Sequence, residues 1–437
     1  MMSNLKIQKI CNYLLYGFVF LIPWQTRHIY NSLTLGDKIF EYGKLSFYLS
    51  ELFLILFIIC SLIYIKKKKE AKEKVSKITS IIFVFLLVII ISFFGALNKQ
   101  LYFYGLIKLM EVMVLYFLIT KTKFSYLKLG MSFVLSMLIH SVLGIYQFFS
   151  QGIFANKYLG IAEQVSNQGG VSVLEGSFGR LLRAHGGFSH PNIFGGFLVI
   201  AILILISVYF YPVKSGFSFN RVIKKKRTIL LYFTLVILFG TLILTFSRSA
   251  FLALFLSLFV LLIYSVFKKT ETKKVVSVLL ILILVSGVSF ILFNDFLKTR
   301  IQGQERLELK SSTERMVLKS QVLELLNNNW FLGTGVNNYI VAVYEKVDST
   351  LNVWEYQPVH NVYLLILVEL GILGLFFYAY LLIYTLYKAF SSNDLNKVIL
   401  GLIILVIIVI NFFDHYFWTY WSGLIITFLV IALINRK

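Results

Sequence analysis

Arg248 sits in Thr245-Phe246-Ser247-Arg248-Ser249, a corner of a few residues between two long apolar runs. If those runs cross a bilayer, its guanidinium is held at the membrane boundary, where a bare charge needs a partner, a water-filled cavity or a route to the headgroups. A lysine would anchor to headgroups equally well. An arginine between two serines adds planar, two-pronged recognition of phosphate or carboxylate. Two more arginines stand in segments of similar character: Arg183 in Arg183-Ala-His185-Gly-Gly-Phe-Ser-His190-Pro191-Asn192, and Arg315 in Ser312-Thr-Glu314-Arg315. Were the three to converge, their charge would complement a diphosphate; scattered anchors that never meet are the alternative. Of the six histidines, four (His185, His190, His360, His415) fall in or beside polar clusters, and only His140 lies well inside an apolar run. Imidazole takes or gives a proton near neutral pH. The structural alternatives are that His360 caps a helix and that His185 and His190 close the Gly-rich turn before Pro191. No acidic cluster at ligand spacing accompanies these histidines, so no metal site is expected.

The elements that must position these groups are membrane helices. The chain has 437 residues, 58% hydrophobic and 14% charged, with a mean hydropathy of +0.82. A soluble domain runs about 45–50% apolar and about 25% charged. Four prolines and two cysteines exclude a Pro-rich disordered chain, a disulfide scaffold and a Cys-rich zinc module. Apolar blocks fall at about 10–24, 45–65, 78–97, 102–120, 129–150, 191–211, 228–246, 249–267, 275–293, 361–387, 398–412 and 417–434. Each approximates the roughly 20 residues of one crossing, and none alternates as a barrel strand would, which leaves helices. The expectation is an all-α integral membrane protein of about 12 transmembrane helices, one polytopic domain over 1–437. The first block, closed by Pro23-Trp24 with no small-residue cleavage site, reads as a retained helix. Cys11 and Cys60 both fall at lipid depth and suggest no disulfide.

Threading twelve spans from a cytoplasmic N-terminus gives inner connections that hold 26 of the 42 Lys+Arg and four acids. The net charge is then +22 inside, +2 outside and −2 within the spans. This positive-inside asymmetry accounts for the whole basic balance without nucleic acid, and puts both termini on the cytoplasmic side of the cell membrane. Lys66-Lys67-Lys68-Lys69 and Lys224-Lys225-Lys226-Arg227 read as anchors beside anionic headgroups. The two long connections, 151–190 and 294–360, both lie outside; the second is inserted between spans 9 and 10. Within it Arg315, Leu318, Val322 and Leu325 recur at helical spacing, with Ser312 as N-cap, which predicts an amphipathic helix. Lys108 and Glu111 read as a self-neutralising helical pair, and Glu369-Leu-Gly371-Ile-Leu-Gly374 as close helix packing through small residues. There is no P-loop.

Four motifs in order, R-x-x-G-x-x-x-H-P-N at 183–192, T-x-S-R-S at 245–249, G-x-G-x-N-N-Y at 333–339 and H-N-x-Y-L-x-x-x-x-E-x-G-I-L-G at 360–374, resemble the O-antigen ligase and polymerase superfamily of bacterial membrane glycosyltransferases. The resemblance covers about 130–420. It implies a GT-C-like fold and a glycan donor on undecaprenyl diphosphate, transferred with inversion to a sugar hydroxyl at the outer face. It implies no metal, cofactor or nucleotide sugar. By the same resemblance Arg248, Arg315 and His360 are catalytic, the Arg315 match being the loosest, and Arg183 matches a common family arginine. His185, His190, Asn192, Ser247, Asn361 and Asp414 are the accompanying substrate-binding candidates. The expected partners are a lipid-linked oligosaccharide, the membrane, and flippase and chain-length regulator proteins. The Lys-, Ile- and Leu-rich composition suggests an AT-rich genome. Many such genomes belong to bacteria without lipopolysaccharide, which favours a capsule or exopolysaccharide repeat-unit polymerase over a ligase. A transporter or flippase is the alternative of another class. It should show midplane charges and repeated halves, neither of which is evident.

Overall fold

The structure, a computed structural model, describes residues 4–67, 75–176, 179–211, 220–302 and 306–436. Lys68 and Lys69 of the first basic run lie outside them. The chain is all-α with three small two-stranded sheets, the second of them β3 (Gly152–Ile153) paired with β4 (Gln164–Val165). Each apolar block falls on a helix: α1 (Asn4–Leu21), α2 (Leu49–Lys67), α3 (Lys77–Ile91), α4 (Lys99–Lys121), α5 (Tyr126–Ser150), α6 (Pro191–Phe210), α7 (Asn220–Thr245), α8 (Arg248–Phe267), α9 (Thr272–Gln302), α12 (Val362–Phe390), α13 (Leu395–Ile410) and α15 (Trp421–Asn435). Among the described residues nine helices are long and apolar enough to cross a membrane, and α13 and α15 are shorter apolar helices. α6 is apolar all round and buried along nearly its whole length, the central position such a helix requires. It packs on α5, α7, α8 and α13, while α4 lies against α15 and α3 against α12.

Between α9 and α12 stand the amphipathic α10 (Arg306–Asn329) and the short α11 (Tyr339–Lys346). Leu318, Val322 and Leu325 are buried as their spacing predicts. The helix begins earlier than expected, however. Ser312 lies inside it with its hydroxyl on the Leu309 carbonyl, so it is not the N-cap. The other short helix, α14 (Tyr416–Thr419), precedes α15.

Four further expectations are corrected. Residues 45–48 are strand, not helix: β1 (Arg27–Leu35) and β2 (Lys38–Tyr48) form an antiparallel hairpin turned at Gly36-Asp37, with Gly36 at φ 56°. A Gly-Asp pair between β-branched and aromatic residues is a hairpin signal. Cys11 and Cys60 are joined as a disulfide, because α1 and α2 are packed neighbours. Lys108 pairs with Glu51 of α2 rather than with Glu111; Glu51 also accepts the Tyr48 backbone N–H at 2.5 Å.

The fourth correction concerns Gly371, which interrupts α12 at φ 68°, ψ −172°. The 330–335 segment inserts there backbone to backbone, with Thr334 N–H on Val368 O (2.8 Å), Gly335 N–H on Glu369 O (2.9 Å) and Ile372 N–H on Trp330 O (3.0 Å). This is loop packing against a broken helix, not helix against helix, and non-helical backbone at such depth survives only when protein satisfies it. A methyl at Gly371 would run into the Phe331 carbonyl in a backbone region that side chains rarely adopt. Gly371→Ala should therefore cost about 3 kcal/mol or more, read as a lowered thermal midpoint in detergent; an unchanged midpoint would show that the loop does not dock there.

Candidate functional site

Two segments far apart in sequence meet on the face opposite the termini. The first leaves β6 (Gly179–Leu182), which pairs with β5 (Val173–Gly176), and runs through the Gly-rich turn into α6. Gly186 and Gly187 take φ 59° and 89°. The Gln147 side chain accepts the Gly186 N–H at 2.8 Å, and His140 of α5 bonds the Gly186 carbonyl, so the one histidine inside a span supports the turn from below. His185 is buried with Nδ1 2.8 Å from the Arg183 carbonyl. It closes this turn, the structural alternative raised for it above. His190 is the N-cap of α6: its Nδ1 accepts the Asn192 N–H at 3.1 Å, which leaves the proton on Nε2, 2.7 Å from Ser172 Oγ.

Arg183, only 4% exposed, clamps this segment to the α7–α8 corner. Its Nε donates to the Thr245 carbonyl at 2.7 Å and its Nη2 to Asn192 Oδ1 at 2.8 Å. The corner is strained, with Phe246 at φ 48°, and Ser247 is buried. Arg248 opens α8 with an exposed side chain. Arg183 and Arg248 thus share one corner. Arg315 is half-buried on α10, a helix packed on α11, α12 and β5, and makes no hydrogen bond or ion pair to this cluster among the described residues.

The second segment is the entry to α12 held against the turn after α13. Asn361 caps α12 through Leu364 N–H (3.0 Å) and donates Nδ2 to the Phe412 carbonyl (3.3 Å); Val362 N–H reaches the Asn411 carbonyl at 2.8 Å. His360 Nδ1 is thereby brought to 3.7 Å from Asp414 Oδ1, and its ring lies 5.3 Å from that of His415. The same Asp414 oxygen accepts the His415 backbone N–H at 2.8 Å, and His415 Nδ1 bonds Thr419 Oγ1 at 2.7 Å.

Burial works against ionisation of Asp414, but the imidazoles of His360, His415 and His190 outweigh it and hold the carboxyl well below its usual range. Burial depresses the histidines: His185 and His415 are each pushed down to about 4, and His190 well below its ordinary value, with Arg183 adding to the effect. At neutral pH the site therefore holds an anionic carboxylate near the neutral rings of His185, His190 and His415, beside two arginines. Sequence spacing offers these histidines no acidic cluster, yet one acid completes a set: His360, Asp414 and His415 each offer a ligand atom within 4.8 Å of the others and could hold a metal ion. Asp414 is that acid; it stands next to His415 in the chain and meets His360 only through folding.

The depressed histidines carry a stability consequence. A group with a folded pKa near 4 and an unfolded value near 6.5 takes up its proton first in the unfolded chain, so the native state weakens as pH falls from about 6.5 toward 4. Each of His185 and His415 contributes a loss of the order of 3 kcal/mol across that window. Thermal midpoints in detergent should fall steadily from pH 7 to pH 4.5, less so in His415→Gln; a flat profile would contradict the burial of both rings.

Beside the histidines lies a cavity with an empty volume of about 690 Å³, walled by Tyr42, Tyr48, Tyr104, Tyr339 and Tyr420 and rimmed by Arg27, Glu41 and Lys44 of the hairpin. Tyr42 packs edge-on against His415 at 5.9 Å. None of these residues stands out by type or spacing in the sequence; the signal it carries is the Gly36-Asp37 turn, which converts a nondescript outer connection into a wall.

Residues 233–379 match the family described as O-antigen ligase. The matched region takes in the Arg248 corner, α10 and the entry to α12 with His360, while Arg183, His190 and Asp414 lie outside it. No curated protein is a significant match.

Proposed function

We propose that this chain, whose residues 233–379 match the O-antigen ligase family, polymerises glycan repeat units from an undecaprenyl-diphosphate donor onto a sugar hydroxyl at the outer face of the cytoplasmic membrane. The observation that carries the reading is the approach of His360 Nδ1 to Asp414 in the same cluster that Arg183 ties to the Arg248 corner. An imidazole whose Nδ1–H faces a buried carboxylate presents Nε2 as a base. Nε2 takes the proton of the acceptor hydroxyl as that oxygen attacks the anomeric carbon. The bond from that carbon to the diphosphate oxygen breaks in the same displacement, with inversion. The diphosphate departs as an anion, and arginine forks fixed beforehand at its oxygens lower the barrier. Arg248 is the principal fork, Arg183 holds the corner in shape, and Arg315 reaches the donor from α10. His190, Asn192, Ser247 and Asn361 keep these groups in register.

The acceptor sugar occupies the tyrosine-walled cavity, where aromatic faces and a polar rim suit a saccharide. The reaction draws on no cofactor. The membrane is the donor's reservoir, and a flippase and a chain-length regulator are the protein partners this activity calls for.

The test is incubation of the detergent-purified protein with a lipid-diphosphate oligosaccharide and sizing of the products. A ladder of lengthened, still lipid-linked glycans is expected. A single transfer to a different acceptor would make the chain a ligase. Donor movement across vesicles without a new glycosidic bond would make it a transporter and overturn the reading.

A further inference from the structure

We propose a second lipid site, on the opposite face from the histidine cluster: a cleft that binds one anionic glycerophospholipid of the leaflet next to the termini. An apolar hollow with about 770 Å³ of empty volume opens between α5, α6, α13 and α15, with Gly130, Ile204 and Leu400 among its walls. Its walls are hydrocarbon almost throughout, as an acyl chain requires. Its mouth is formed by the exposed Tyr126 and Tyr211 and by the Ser207–Asn396 pair, hydrogen-bonded at 2.9 Å.

Cations surround that mouth. Arg227 donates Nη2 to the carbonyls of Val208 (2.6 Å) and Tyr211 (3.3 Å), both of them lining residues. Lys397 follows Asn396 and donates to the Arg436 carbonyl at 2.9 Å. Arg436 lies over the rings of Phe124 (4.0 Å) and Tyr126 (5.1 Å). Its Nη1 is buried without a hydrogen-bond partner. A buried guanidinium nitrogen with no acceptor costs stability unless something supplies one, and a phosphate oxygen at the mouth would do so. Against these three cations stands the neighbouring acid Asp394, which caps α13 through Asn396 N–H at 3.0 Å, so the named groups keep a positive excess.

The donor's diphosphate is not the ligand here. Asn396 and Ile410 lie at opposite ends of α13, roughly 20 Å apart at 1.5 Å per residue, and Asp414 lies beyond Ile410. The site therefore stands independently of the proposed reaction. An anionic leaflet supplies the matching charge.

Native mass spectrometry of the delipidated full chain, titrated with dioleoyl phosphatidylglycerol or dioleoyl phosphatidylcholine, tests the proposal. Phosphatidylglycerol should bind about tenfold tighter. The double variant Lys397→Gln with Arg436→Gln should bring it to within about twofold of phosphatidylcholine, and Leu400→Trp, which fills the hollow, should weaken both lipids. Thermal midpoints in lipid-free detergent report whether each variant is folded. Equal binding of the two lipids by the parent chain, or a preference that persists in the folded double variant, overturns the proposal. So does displacement of phosphatidylglycerol by undecaprenyl diphosphate, which would assign the cleft to the donor's tail.

Discussion

His360→Ala should lower glycan lengthening by roughly 10²- to 10⁴-fold, the range that removal of a positioned base produces, with little change in folded yield. The ring is half-exposed and its neighbours are held without it. Asn361 caps α12, and the Val362–Asn411 backbone bond closes the turn, so truncation takes away the proton acceptor and leaves the frame. Asp414→Asn separates orientation from basicity. The amide keeps the volume and can still accept the His415 N–H but carries no charge toward His360. Turnover should fall at least about tenfold while the KM for the donor stays near its parent value. A merely structural Asp414 would instead move the thermal midpoint and both kinetic constants together. Full activity in His360→Ala would remove the base from the mechanism, and with it the role given to Asp414.

The pairing behind that experiment was not legible in the chain. His360 and Asp414 were each singled out by type and by position at a helix end, but nothing local relates two groups 54 residues apart. Their approach depends on α12 and α13 packing side by side. What local pattern does govern was legible. The twelve apolar blocks became helices because each must satisfy its own backbone in lipid, and the buried stripe of α10 followed its three- and four-residue spacing. Three of the misses share one physical cause, contacts between elements overriding a local reading. Lys108 has an acid three residues away yet pairs with Glu51 across helices. Gly371 stands in a small-residue pattern typical of helix packing yet breaks the helix to receive a loop. The cysteines were judged by depth alone, whereas the disulfide follows from α1 and α2 being neighbours. The hairpin is different, because its turn signal was present and only its 45–48 overlap with an apolar run obscured it.

The two arginines at the α7–α8 corner should fail in opposite ways when changed. Arg183 is buried, and its hydrogen bonds to Thr245 and Asn192 hold protein to protein. Arg183→Met would leave the Thr245 carbonyl and the Asn192 amide without a partner, a loss of roughly 3 kcal/mol, so the variant should be recovered in lower yield and with a lower thermal midpoint. Arg248 is exposed at the first turn of α8. There its charge gains nothing from the helix, since the N-terminal end of a helix dipole disfavours cations. On the proposed reading, the cation at that position, on a corner strained at Phe246, serves the donor's diphosphate. Arg248→Met should therefore leave the fold intact or slightly firmer and lower transfer by about 10²- to 10³-fold, the usual cost of one donor aimed at developing negative charge. Arg248→Lys discriminates further. It retains the charge but not the fork, so it should recover donor binding and little of the rate if the guanidinium grips two diphosphate oxygens at once. Near-parent turnover in Arg248→Lys would mean that a point charge suffices and that Arg248 is a membrane-surface anchor. A collapse of stability in Arg248→Met would mean that its contacts, like those of Arg183, are part of the frame.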